Sequence, residues 1–124
     1  MKLLILFPNA TYWATVSNAV PILVGIAKKR NWEIEYFDTY NYKKAVTEDD
    51  KGKSWGFKAG FELKRENKEF NQIVPDLQNK IDTFQPDLIA ITCLSPEYDF
   101  LLKFFPQIKI PENCLTIIGG IHAT

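Results

Sequence analysis

Net charge is what this chain most plainly lacks: fifteen Lys and Arg side chains cancel fifteen Asp and Glu in its 124 residues. With no field of one sign, nothing draws the chain onto nucleic acid or an anionic membrane, so neither is expected as a partner. Long apolar runs are missing as well, and none approaches the roughly 20 residues that span a bilayer. The apolar start, Met1 to Pro8, carries one basic residue and is short for a signal peptide, with no small-residue cleavage site behind it. A cytoplasmic, intracellular protein is expected. There are only two cysteines, Cys93 and Cys114, too far apart in sequence for a metal knuckle or a redox pair. Both lie in apolar, strand-like contexts and read as buried free thiols rather than a disulfide. What is present is core: 46% of the residues are apolar, which excludes general disorder and fits a single domain.

The pattern along the chain alternates strands and helices. Residues 2–7 are a continuous apolar run ended by Pro8-Asn9, the mark of a strand buried on both faces. Ser17 or Asn18 can cap a helix in which Val20, Leu23, Val24 and Ala27 recur at helical spacing, with Pro21 in the first turn and Lys28-Lys29-Arg30 at the end. A second strand at about Glu33–Phe37 completes a βαβ unit, whose crossover is right-handed by rule. From about residue 39 to 73 the periodicity fails, and an insertion or lid with short helical pieces is predicted. There Trp55, Phe57 and Phe61 serve either as a cover for a flat ligand or as satellite packing, and Lys43-Lys44 and Lys51–Lys53 read as solvated.

Order returns at Val74, where Leu77, Ile81 and Phe84 form a helical core stripe that Gln85-Pro86 breaks. A third strand is predicted over Asp87–Thr92. Ser95 as N-cap, Pro96 in the first turn and the dipole-favoured Glu97 then open a helix to about Phe105, and a fourth strand covers Leu115–Ile118. Such alternation predicts a three-layer α/β fold, flavodoxin-like or more broadly Rossmann-like, with a parallel sheet in the order 2-1-3-4. Three loops then share its ligand edge: Pro8–Ala14, Cys93–Pro96 and Gly119–Thr124. The pattern stops just after Gly119-Gly120, which predicts one domain, or part of one, cut from a longer protein before a fifth strand. The fourth strand is accordingly expected as an exposed edge.

Three segments carry a resemblance: Val-Pro-Ile-Leu-Val-Gly-Ile-Ala-Lys-Lys-Arg-Asn-Trp-Glu-Ile-Glu-Tyr-Phe-Asp at residues 20–38, Pro-Asp-Leu-Ile-Ala-Ile-Thr at 86–92 and Ile-Ile-Gly-Gly-Ile-His-Ala-Thr at 117–124. Together they resemble the amino-terminal cobalamin-binding domain of radical S-adenosylmethionine enzymes. The wider cobalamin-binding fold has three marks: Asp-x-His-x-x-Gly after strand one, Ser-x-Leu after strand three and Gly-Gly after strand four. Thr92-Cys93-Leu94 is similar to the second, with a threonine hydroxyl where serine would hydrogen-bond the dimethylbenzimidazole tail. Gly119-Gly120 matches the third, since a missing Cβ permits positive φ and close approach of a bulky tail.

The first mark is absent, because Pro8 to Ala14 contains neither histidine nor aspartate. The resemblance therefore implies cobalamin bound with its own base detached and no protein histidine on cobalt, with Tyr12 or Trp13 near the corrin face. It implies cofactor contacts from Asn9, Ala10, Thr11 and Tyr12, from Thr92, Cys93, Leu94 and Ser95, and from Gly119, Gly120 and His122. No metal ligand or catalytic residue is assigned to this chain.

The bland readings stand beside these. Gly119-Gly120 also suits a plain tight turn or another phosphate ligand, and Thr92 is ordinary at a strand end. Cys93 would react if exposed at the cleft, but it reads first as core packing. His122, the only histidine, reads first as a loop hydrogen-bonder and second as a cofactor contact. The Cys-x-x-x-Cys-x-x-Cys run that holds an iron–sulfur cluster does not occur. Cluster, S-adenosylmethionine and reaction, whether methyl transfer or another radical rearrangement, would then belong to a downstream domain of the parent chain. Two rivals remain: a cofactor-free interaction or substrate-positioning domain, and the amino-terminal domain of a glycosyltransferase. A receiver domain and a flavodoxin proper are disfavoured, since the loop after the first strand has neither an acidic pair nor a glycine-containing phosphate loop, and no nucleotide-binding glycine motif follows it.

Overall fold

The computed structural model describes residues 1–10, 19–43, 66 and 68–120. Strands β1 (Lys2–Phe7), β2 (Glu33–Asp38), β3 (Leu88–Thr92) and β4 (Leu115–Gly119) form one sheet in the order β2-β1-β3-β4. Every pairing is parallel. Helices α1 (Ala19–Lys29), α2 (Ile73–Phe84) and α3 (Ser95–Leu102) complete the three layers, so the flavodoxin-like expectation is met.

Strand alternation divides the core in two. Leu3, Ile5 and Ala90 pack with Val20 and Ala27 of α1 on one face. Leu4, Leu6, Ile89, Ile91 and Cys93 pack on the other with Leu77 and Ile81 of α2 and Phe100 and Leu101 of α3. Because β1 lies between β2 and β3 with a helix layer on each side, Leu3 to Phe7 are all buried. That explains the unbroken apolar run.

Several boundaries differ from the sequence expectation, each for a local reason. Asp87 precedes β3 because it serves as a brace: its N–H donates to the Lys2 carbonyl and its carboxylate accepts the Lys2 N–H at 2.7 Å. Helix α3 ends at Leu102 rather than near Phe105, since Pro106 has no N–H for the Leu102 carbonyl; a 3-10 turn at Phe105–Gln107 follows. Ser95 is the first residue of α3, not its cap. The capping contact runs the other way, with the Glu97 carboxylate accepting the Leu94 N–H at 2.6 Å. Phe84 and Cys114 are half-buried at the margin of the core rather than inside it. Helix α2 does end where Gln85-Pro86 predicts, with Gln85 in the left-handed region at φ 51° and its N–H bonded to the Ile81 carbonyl.

The predicted insertion is pinched at its base. Tyr42 and Lys68 form a parallel bridge, Lys43 N–H donates to the Lys68 carbonyl and Lys68 N–H to the Asn41 carbonyl. The Tyr42 hydroxyl donates to Asp76 at 2.7 Å, and Lys43 pairs with Glu69. Ile73 is fully buried, so it belongs to the α2 core stripe and not to the insertion. Lys44, Lys51 to Lys53, Trp55, Phe57 and Phe61 lie outside the described residues.

Candidate functional site

A parallel sheet in this order has a switch point between β1 and β3, where the connections depart to opposite sides. The carboxyl edge of the sheet is polar where the rest of the core is not. The buried polar or charged side chains among the described residues are Asn9, Thr39, Thr92 and Glu97. All four follow or end a strand at that edge. Thr39, just beyond β2, donates its hydroxyl to the Asn9 carbonyl at 3.3 Å, which ties the end of β2 to the loop after β1.

Register makes neighbours of two segments far apart in sequence. Thr92 pairs with Gly119 across β3 and β4, and the Cys93 N–H donates to the Gly119 carbonyl at 2.9 Å. Gly120 then lies against the Cys93 backbone with φ at 124°. A Cβ there would overlap the Cys93 carbonyl oxygen and come within 3.0 Å of its carbon. The Gly120 position is thus demanded by the protein's own packing. Gly119 differs: a Cβ on it meets nothing within 4 Å.

Beside this junction is a cleft of about 280 Å³, on the α1 side of the sheet. Ala19, Ile22 and Leu23 of α1 form one wall, Ala90, Ile91 and Thr92 the floor, and Ile117, Gly119 and Gly120 the other wall. It is mainly apolar, with the Thr92 side chain at its carboxyl end. Its volume, just below the roughly 300–1,000 Å³ usual for small-molecule sites, suits one flat bicyclic ring rather than a whole macrocycle. A larger, more open groove lies along α2 by Val74, Gln78 and Lys109, away from the carboxyl edge.

The expected contact residues are therefore divided. Thr92, Gly119 and Gly120 meet in the cleft. Cys93 is turned to the opposite face, buried against the α2 and α3 side chains. Asn9 is buried at the end of β1, and Ala10 packs on the same cluster as Cys93. Leu94 and Ser95 are exposed at the start of α3. Thr11, Tyr12, Trp13 and His122 lie outside the described residues. Among the described residues no three His, Cys, Asp or Glu side chains gather as a metal site. The α1 wall was missed by sequence reading because Ile22 looked like one more apolar residue beside the core stripe. Its signal was the lack of any polar residue on the helix before Lys28.

Burial, with the neighbouring Glu97 charge adding to it, pushes the Cys93 thiol up to about 11. At neutral pH it is the protonated thiol, which is a poor nucleophile. Alkylation by iodoacetamide, followed by mass spectrometry, is expected to leave Cys93 unmodified in the folded protein at pH 8. Because Glu97 raises the value, Glu97→Gln should move the onset of modification to lower pH. Rapid labelling of Cys93 at pH 8 in the folded wild type would contradict both burial and charge.

The fold defines a flavodoxin-like α/β domain with a cleft between α1 and the ends of β3 and β4. In comparisons with known proteins, no family model, curated protein or solved structure matches the chain. Among the described residues no helix is long and apolar enough to cross a membrane.

Proposed function

We propose that this domain binds cobalamin, with the dimethylbenzimidazole tail in the cleft between α1 and the ends of β3 and β4. The observation that carries the reading is the convergence of Thr92, Gly119 and Gly120, two separate sequence marks, on one cleft of about 280 Å³. The residues fit the group in kind. Open space at Gly119 accepts a flat ring, apolar walls bury it, and the Thr92 hydroxyl offers a polar handle at the end of the cleft. When bound, cobalamin supplies the cobalt chemistry, and the protein supplies binding and orientation. Cobalt has no histidine from this chain in the proposed complex, and a radical S-adenosylmethionine domain is the partner to which the cofactor is presented.

Titration of the chain with hydroxocobalamin, followed by absorption spectroscopy, is the test. Saturable binding with the base-detached spectrum is expected, unchanged by His122→Ala. Gly119→Leu, which fills the cleft, should weaken binding at least about tenfold, equivalent to 1.4 kcal/mol, with the far-ultraviolet circular dichroism preserved. A spectrum unaltered by the chain would end the reading, and protein nitrogen on cobalt would overturn its histidine-free part. The rival reading, a cofactor-free interaction domain, draws on the exposed apolar residues Ile22, Ile26, Leu115 and Ile117.

A further inference from the structure

The cleft at the carboxyl edge offers a ligand apolar surface and little else. Side chains alternate along β3 and β4, so Ala90 and Thr92 point to the α1 side together with their register partners Ile117 and Gly119. Ala90 and Gly119 lie across a diagonal of this square, and neither carries more than a methyl group, which leaves a flat slot. A Cβ on Gly119 would meet nothing within 4 Å. Ile22 and Leu23 of α1 close the other side, and α1 has no polar side chain from Ala19 to Ala27. Among the described lining residues, the Thr92 hydroxyl is therefore the one polar side-chain group.

That scarcity sorts the bases that a nucleotide tail can carry. Dimethylbenzimidazole detached from cobalt has one ring nitrogen with a lone pair, and its fused ring carries only methyl groups. One hydroxyl can meet that demand. Adenine has the corresponding nitrogen and, on its fused ring, two further acceptors and an amine. However such a ring is turned, one hydroxyl cannot serve four polar groups. Each polar atom buried without a partner weakens binding by roughly fivefold or more.

We infer that the cleft selects its cofactor by the base on the tail, taking cobamides with an apolar benzimidazole and discriminating against those with a purine. Ile22 on one wall and Ile117 on the other set the preference. They are 63% and 52% exposed and belong to neither core cluster, so the fold does not require them to be apolar. A base buried between them does. The inference rests on the cobalamin reading and adds to it which cobamide is bound.

Absorption titration of the chain with hydroxocobalamin, and with the cobamide that carries adenine in its place, tests the preference. Hydroxocobalamin is expected to bind at least about tenfold more tightly, although adenine, the weaker base, leaves cobalt more readily. Ile22→Gln keeps a good helix former in α1 and Ile117→Thr keeps a β-branched residue in β4. Each puts a polar group on one wall and should narrow the ratio of the two affinities at least about threefold. Detachment from cobalt is a property of the cofactor and cancels when variant and wild-type ratios are compared. Equal binding of the two cobamides, tighter binding of the adenine form, or a ratio that neither substitution moves overturns the inference and leaves cobalamin binding intact. Binding of neither cobamide ends the cobalamin reading and the inference with it.

Discussion

Replacing Gly120 with alanine is expected to remove roughly 2–4 kcal/mol of stability, a large share of the roughly 5–15 kcal/mol that holds a domain of this size together. Two costs combine. At φ 124° an L side chain is strained, and the added Cβ would overlap the Cys93 carbonyl oxygen. The backbone on either side cannot simply give way, because the Cys93 N–H is bonded to the Gly119 carbonyl and Thr92 is paired with Gly119. Gly119→Ala is the control. Its Cβ meets nothing and its residue lies in a strand, so the change should be neutral or stabilising by about 0.5 kcal/mol. Urea denaturation of the two variants would compare them, and equal stabilities would mean that the ends of β3 and β4 do not meet as described. The pair also separates the two meanings of a double glycine: Gly120 serves the fold, whereas Gly119 leaves room beside the cleft.

Phe104→Ala is expected to cost about 3–5 kcal/mol and to leave the chain near the edge of unfolding. Phe104 follows α3 and is completely buried in the larger core cluster. Its ring meets Phe100 edge to face at 5.5 Å, and Phe100 meets Phe70 likewise at 5.8 Å. Deleting the ring forfeits transfer energy, leaves a cavity and breaks this aromatic chain, which joins α3 to the 3-10 turn at Phe70–Gln72 just before α2. Leu102→Ala, at an exposed neighbour in the same segment, should change stability by less than about 0.5 kcal/mol. Thermal and urea unfolding would measure both, and a mild effect at Phe104 would show that the α3 end of the core is loosely packed.

Much of this molecule is legible in the chain. The apolar run at residues 2–7 announces a strand covered on both sides, the stripe at Leu77 and Ile81 announces a helix lying on a core, and Gln85-Pro86 announces its end. These signals are local, because they depend on side-chain periodicity and on which residues tolerate particular φ and ψ values. The order 2-1-3-4 is one of the few topologies that alternation and the connection rules leave, and the structure has it. The candidate site is only half legible. Thr92 and the double glycine were singled out, and the cleft includes both, but Cys93 was grouped with them although strand alternation turns it to the other face. Glu97 read as a dipole-favoured acid in the first turn of α3, which it is, but its burial and its bond to the Leu94 N–H were not legible.

By itself the sequence determined the class of fold, the kinds of element and the balance of charges, since composition and short-range patterning settle those. Only the tertiary structure decided that Thr92 stands beside Gly119, that Gly120 is required by Cys93 while Gly119 is not, and that the stem of the insertion closes at Tyr42 and Lys68. Those outcomes depend on strand register and on which layer each helix joins. Contacts between residues tens of positions apart set both, and no local pattern encodes them.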